Sequence, residues 1–298
     1  METDMPSLRD IEFLIALARR KHFARAAKDC GVSQPAFSMR LRNIEESLGV
    51  TLVKRSNRFE GFTTEGEAML LHAHKIMDDL KVMEQDIRSA HGEITGTLSV
   101  GAIPTAVIYA ARVIKQLQGH HPDLKVTLHT ATALAIQEGV DNGQLEAGFT
   151  YGEGLTRNLY RVDPLYRERY LLLAHKKMLQ GKREKITWAQ AAELPLCLLE
   201  PEMQNRRIIE QVFRDQGLTP KVIMESSGFM ASIVLADEAA TATIVPEHLA
   251  KVFVRMADIA VLELVEPVLE IPVCLFTRAR EIGLPAVNAL RAACTGSS

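Results

Sequence analysis

The run Gly31-Val32-Ser33-Gln34-Pro35-Ala36-Phe37-Ser38 constrains this chain more than any other stretch. Upstream, Phe23 to Cys30 carries small residues at Ala24, Ala26 and Ala27, so a short helix there lets a neighbouring helix approach closely. Gly31 ends it, because a residue without Cβ takes the left-handed conformation of a helix C-cap at little cost. Ser33 starts a second helix: its hydroxyl can accept from an orphan N–H of the first turn, where Pro35 is also tolerated. That helix, about Gln34 to Leu48, puts Phe37, Leu41, Ile44 and Leu48 on one face by their spacings. Gln34, Ser38, Arg40 and Arg42 are left pointing elsewhere. Such a helix-turn-helix lays its second helix in the DNA major groove and offers its N-terminal residues to base edges.

Gly49 to Thr64 then reads as a turn and two short strands around a basic tip, the form of a wing, with Lys54, Arg55 and Arg58 placed to meet phosphates. The order and spacing of Leu8, Phe13, Phe23, Ala26, Ala27, Ser33-Gln34-Pro35-Ala36, Ser38, Ile44-Glu45, Leu48-Gly49, Leu52, Arg55, Arg58, Phe62-Thr63 and Gly66 resemble the N-terminal winged helix-turn-helix of the LysR-type transcriptional regulators. The length fits as well. Met39 and Arg40 depart from the family, where an Arg-Gln pair is frequent, and Val53 stands where a Phe is usual. Met39 removes a phosphate or base contact, so no operator preference carries over. The DNA-binding residues expected are Ser33, Gln34, Pro35, Ser38, Arg40, Arg42, Lys54, Arg55 and Arg58.

The net charge of −2 over 298 residues would not by itself suggest nucleic acid. Between Arg9 and Arg58, however, eleven basic residues face five acidic ones, a net +6, and the remainder is acidic. A locally basic domain is what phosphate contact needs. The start, Met1-Glu2-Thr3-Asp4-Met5, is acidic and has no apolar run, and no later apolar stretch approaches the roughly 20 residues of a membrane span. The chain reads as cytoplasmic. Cys30, Cys197, Cys274 and Cys294 are scattered without metal-type spacing and read as buried small residues. Oxidant sensors of the resembled family use a cysteine pair in the middle of the effector domain; Cys197 has no near companion, which speaks against a redox switch.

Ser7 and Asp10 form a capping box for a first helix that packs through Ile11, Phe13, Leu14 and Leu17. Beyond Gly66, one long helix spans about Glu65 to His91, with Met69, Ala73, Ile76, Leu80, Met83 and Ile87 on the 3.5-residue seam of a coiled coil. A dimerisation helix explains its length, and two reading helices on two half-sites make a selective reader. The resemblance implies the same linker helix and a homotetramer built from two homodimers. The domains are then 1–64 (winged helix-turn-helix), 65–91 (linker helix) and 92–298 (effector domain), with a hinge at His91 to Gly96.

From Thr97 strands alternate with helices, which implies α/β lobes on parallel sheets. The first lobe takes in about 94–162 and 268–298, the second about 163–267, with crossings near Asp163 and Pro267 and a cleft between them. The resemblance implies a fold like type 2 periplasmic solute-binding proteins, used to sense a small molecule. In open α/β sheets ligands sit beyond the carboxyl ends of strands, at helix N-termini. Thr105, Thr130 and Thr132 occupy such places in the first lobe, and Gln204, Asn205, Arg206 and Ser226 in the second. Donors dominate, so a small carboxylate or inorganic anion is the expected effector, with Arg206 or Arg207 as a charge partner. Near Ala239-Ala240-Thr241 the family's usual glycine turn is missing.

No phosphate loop, catalytic triad signature or metal spacing appears, so neither an enzyme nor a cofactor is expected. Effector binding would close or rotate the lobes, change the spacing between DNA-binding pairs and so alter DNA bend and the access of RNA polymerase, a further candidate partner. A solute-binding transport protein would suit residues 94–298 but not the basic N-terminal domain.

Overall fold

The computed structural model describes residues 5–55, 59–89, 94–179, 181, 184–253, 258–279 and 284–296. Residue contacts divide the chain into a unit built on Met1–Glu93 and a unit built on Ile94–Val140, Leu145–Ile282 and Ala286–Ser298.

In the N-terminal unit, α1 (Leu8–Arg20) begins with the Ser7–Asp10 capping box. Helix α2 (Phe23–Asp29) stops before Gly31, which takes φ 69°. Ser33 caps α3 (Gln34–Leu48) by accepting from Ala36 N at 3.3 Å, with Pro35 in the first turn. The three helices close over Leu14, Leu17, Ala26, Phe37 and Leu41, and the Phe13 and Phe37 rings stack at 4.8 Å. Strands β1 (Val53–Arg55) and β2 (Phe59–Phe62) pair antiparallel as a wing. The buried Glu45 carboxylate of α3 accepts from Leu52 N at 2.9 Å and Val53 N at 3.1 Å, fixing where the wing starts. Helix α4 (Thr64–Ser89) has 26 residues, about 39 Å at 1.5 Å each. A Cβ at Gly66 would stand 2.0 Å from Leu52 O, so only glycine lets α4 start this close to the wing.

In the C-terminal unit, β3 (Gly96–Ala102), β4 (Leu124–Thr130) and β5 (Ala147–Tyr151) are parallel, with α5 (Val107–His120) and α6 (Ala133–Asp141) as crossovers. The 16-residue β6 (Tyr160–His175) then runs through both lobes. Its first part pairs antiparallel with β12 (Glu270–Arg278) as far as Arg169, and its second part pairs antiparallel with β10 (Thr243–Pro246) and β11 (Ile259–Val265) from Tyr170 on. The sheets are therefore mixed, not parallel as expected, and the strand partners change at Arg169–Tyr170 instead of near Asp163. Between β6 and β11 the second lobe holds β7 (Lys185–Thr187), α7 (Trp188–Ala192), β8 (Leu196–Leu199), α8 (Gln204–Asp215), β9 (Val222–Ser226), α9 (Phe229–Asp237) and α10 (Glu247–Phe253), and α11 (Pro285–Thr295) ends the chain. Trp188 is fully buried against Phe213, its Nε1 donating to Pro267 O at 2.9 Å. Ala239 adopts φ 59°, so the backbone keeps the left-handed turn although the glycine is absent.

Candidate functional site

Two regions carry the expected chemistry, one in each unit. On α3 the side chains Phe37, Leu41 and Ile44 are spent on the core, whereas Ser33, Gln34, Pro35 and Ala36 are exposed and Ser38 is half-buried. The turn thus presents the helix N-terminus and its polar residues outward. Arg42 and Lys54 are exposed as well. Arg40 is a correction: its Nε donates to Asp10 Oδ1 at 2.5 Å and an Nη to Ser7 Oγ at 3.2 Å, so its guanidinium clamps α3 to the start of α1. Arg58 and the Arg55 side chain lie outside the described residues.

The long helix also divides differently from the expected seam. Ala73 is buried and Met69 packs on the winged core beside Leu70, so both serve their own domain. Farther along, Ile76, Met83 and Ile87 are 42%, 51% and 64% exposed and Leu80 is half-buried. Among the described residues of that seam, it is this later stretch that is left uncovered.

In the C-terminal unit a narrow pocket lies at the carboxyl ends of β3, β4 and β5, between the lobes. Its walls are Ile103-Pro104-Thr105, Thr132-Ala133 and Tyr151 from the first lobe and Met203-Gln204-Asn205 from the second, and they close on a cavity of about 10 Å³, the room of one water, so an effector enters only as the walls part. Proline and a single 3-10 turn place Thr105 straight after β3. Helix α8 opens on Met203, which supplies no side-chain cap, so its first amides are free to serve a ligand. Asn205 is buried with both amide atoms unpartnered. Thr132 Oγ1 accepts from Ala135 N at 3.2 Å. Of the seven expected residues, Thr105, Thr132, Gln204 and Asn205 meet here.

The other three are placed otherwise. Thr130 is exposed and outside the pocket walls. Ser226 donates to Gly228 O at 2.9 Å within a turn. Arg206 is buried and donates to Glu210 Oε1 and Glu225 Oε1, both at 2.8 Å, and to Leu199 O at 2.7 Å. Its charge is neutralised inside the lobe, which leaves the exposed Arg207 as the other expected charge partner.

Sequence reasoning missed what lies behind Thr105. Its Oγ1 is 3.0 Å from Tyr151 Oη, which donates to Glu168 Oε1 at 2.9 Å and lies 3.0 Å from Tyr170 Oη. Glu168 is 1% exposed and its Oε2 has no partner. Burial pushes its carboxyl up to about 7, against the lowering hydrogen bonds of Tyr170, Tyr151 and Thr105. Charged residues and Pro164 along Tyr160–Arg169 disguise this half of β6 as a loop.

A winged helix-turn-helix with an exposed reading edge, followed by a two-lobed α/β domain with a polar interlobe pocket, defines a class: DNA-binding regulators with a sensor domain of solute-binding type. Residues 8–67 match the family described as bacterial regulatory helix-turn-helix protein, lysR family, and residues 91–297 match the LysR substrate binding domain. The chain belongs to the LysR family of transcriptional regulators. Among curated relatives it is similar to the hydrogen peroxide-inducible genes activator of Haemophilus influenzae, 32% identical over 64% of this chain and 60% of that protein. It is also similar to the DNA-binding transcriptional dual regulator OxyR of Escherichia coli K12, 33% identical over 65% of this chain and 64% of that one. The match thus spans less than two thirds of either relative. A full-length OxyR variant from Pseudomonas aeruginosa superposes with a TM-score of 0.75 at 21% identity, covering 97% and 94% of the two chains. Full-length CbnR complexed with target DNA does so at 0.63 and 22%, covering 98% and 100%. No described helix is long and apolar enough to cross a membrane.

Proposed function

We propose that the chain is a cytoplasmic regulator that reads promoter DNA through the start of α3 and responds to a small polar effector held in the pocket at Thr105, and that it is not an enzyme. The observation that carries the DNA reading is the exposure of Ser33, Gln34 and Pro35 on a helix whose other face is core. Gln34 and Ser38 address base edges, while Arg42, Lys54, Arg55 and Arg58 address phosphates. The stripe Ile76, Leu80, Met83 and Ile87 supports a homodimer, and pairs of dimers a homotetramer. Effector-driven closure of the lobes alters the spacing of the DNA-binding pairs and with it the access of RNA polymerase.

The effector set is Thr105, Thr132, Gln204 and Asn205. The relatives' names point to peroxide, but the thiols here are poorly suited to it. All four cysteines are buried; burial raises the Cys30 and Cys197 thiols and lifts those of Cys274 and Cys294 to about 12. A thiol oxidised by peroxide reacts as its thiolate, at an accessible sulfur.

The full-length protein, presented with a random pool of DNA duplexes, should enrich a sequence with two half-sites. Gln34→Ala should blur base discrimination at one position of each half-site, by about 1–3 kcal/mol, whereas Lys54→Ala should weaken all sequences and flatten the salt dependence by about one unit of slope. Equal loss on every duplex for Gln34→Ala would remove it from base reading. A thermal-shift screen of small polar molecules tests the pocket, with Thr105→Val expected to abolish the shift of any hit.

A further inference from the structure

The interlobe pocket has two unlike walls. From the second lobe come the uncapped N-terminus of α8 and the buried, unpartnered amide of Asn205. From the first comes a relay, Thr105 to Tyr151 to Glu168, with heavy-atom separations of 3.0 Å and 2.9 Å. The direction of its protons follows from the carboxyl at its end. An ionised carboxylate only accepts, so Tyr151, bonded to Glu168, turns its proton toward it, and Tyr170 can then only donate to Tyr151. Tyr151 Oη is then left to accept, Thr105 turns its proton inward, and Thr105 shows the pocket lone pairs alone. A protonated Glu168 supplies a donor of its own. The relay can then reverse, and Thr105 is free to donate into the pocket.

We propose that Glu168 is the proton-coupling residue of the effector pocket: ionised, it makes Thr105 an acceptor and keeps anions out; protonated, it lets Thr105 donate, so an anionic effector enters together with one proton. This rests on the effector reading of the pocket, and it reconciles the donor-rich wall with the carboxylate behind the other. The groups facing Glu168 are hydroxyls: Tyr151 on β5, Thr105 in the turn after β3, and Tyr170 on β6 itself. Beyond them, the Tyr166 ring of β6 lies 4.7 Å from both Tyr109 of α5 and His248 of α10. No cation acts on Glu168 among the described residues. His248 is a second titratable group in this neighbourhood, its imidazole lowered by burial. A substitution at Glu168 leaves that histidine in place and so separates the two.

The test uses the full-length protein and two probes of matched shape, acetate and acetamide, by calorimetry in buffers of different ionisation enthalpy, with Glu168→Gln alongside. The acetate Kd should rise about tenfold per pH unit above about pH 7 and level off below, with up to one proton taken up, because only the protonated fraction is competent. Acetamide binding should be indifferent to pH, and Glu168→Gln should flatten the acetate profile. An acetate profile equally flat in wild type and Glu168→Gln overturns the proposal. Infrared spectroscopy gives a readout independent of any ligand: a protonated-carboxyl absorption titrating near pH 7 in wild type and missing in Glu168→Gln supports it, and no such absorption at any pH from about 5 to about 9 overturns it. If neither probe nor any other small polar molecule binds in a Thr105→Val-sensitive way, the effector reading fails by itself, while the infrared titration still decides for or against the protonation of Glu168.

Discussion

Glu45 in the N-terminal unit and Glu168 in the C-terminal unit are both buried carboxylates, 9% and 1% exposed, yet they are held by different kinds of partner. Glu45 receives two backbone amides, which can only donate. Glu168 receives hydroxyls, which can donate or accept, and keeps one oxygen unpartnered. Amides lock one arrangement; hydroxyls permit two. The first suits a unit whose task is to hold a helix and a wing in register, the second a pocket whose state must change. Breaking the comparison means showing that Glu45 can be lost without harm or that Glu168 has only one state.

The largest effect should come from Glu45→Ala. It strands the Leu52 and Val53 amides in a buried place, each a loss of about 1–3 kcal/mol, so the N-terminal unit should lose roughly 3 kcal/mol or more. Hydrogen exchange at those two amides should accelerate accordingly, and DNA retention should fall with it. An unchanged exchange rate would mean the wing is registered by its hydrophobic contacts alone.

Next is Glu168→Gln, where the sign matters. The carboxyl sits at about 7 in the fold against 4.5 in an open chain, so between those values the folded state holds the extra proton. Wild-type stability therefore falls as pH rises through that window and levels off above it, a total on the order of 3 kcal/mol. Glutamine cannot ionise. Urea unfolding at about pH 5 and about pH 8 should show the variant gaining on wild type at the higher pH. A constant difference between the two would leave Glu168 as one more inert core group.

How far each region could be read from residues alone follows from the same contrast. Local rules govern the helix-turn-helix: Gly31, Ser33 and Pro35 act within a turn or two, and α3 begins and ends where those residues and Gly49 dictate. The strands β3, β4 and β5, with their apolar runs, were equally open to periodicity. The first half of β6 was not, since Pro164 sits at a bulge where the register to β12 shifts between Val273 and Cys274, and the alternation slips there. Glu168 lies on that hidden strand. Arg40 and Arg206 misled for another reason: an arginine's reach is long, and only the fold reveals Asp10 beside one and Glu210 and Glu225 beside the other.

A smaller effect is expected at Arg40, the N-terminal unit's counterpart to the internal pairing of Arg206. Its side chain is 45% exposed, so solvent weakens the pair with Asp10, and Arg40→Ala should cost no more than about 1 kcal/mol. Burial alone would raise the Asp10 carboxyl, but the bonds from Arg40 and Ser7 outweigh it and hold it below 3.8. That stability is present above the unfolded value and lost as pH falls below it, and Arg40→Ala should shrink the loss. Acid unfolding midpoints of the two proteins, coming together instead of apart, would show that the capping box alone holds Asp10.

The smallest effect lies in the backbone and again sets one unit against the other. Gly31 and Ala239 both occupy the left-handed region, at φ 69° and 59°, but only Gly31 suits it. A left-handed L-residue costs roughly 1–2 kcal/mol, and part of any gain on changing it to glycine is returned through the freer unfolded chain. Ala239→Gly should therefore stabilise the C-terminal unit by up to about 1 kcal/mol. Gly31→Ala should destabilise the N-terminal unit by a similar amount, and through the backbone only, because a Cβ there meets nothing within 4 Å. Thermal unfolding of the two variants should move in opposite directions. A loss on Ala239→Gly would mean that the alanine methyl group earns its place by packing at the end of α9, against the conformational preference of the residue.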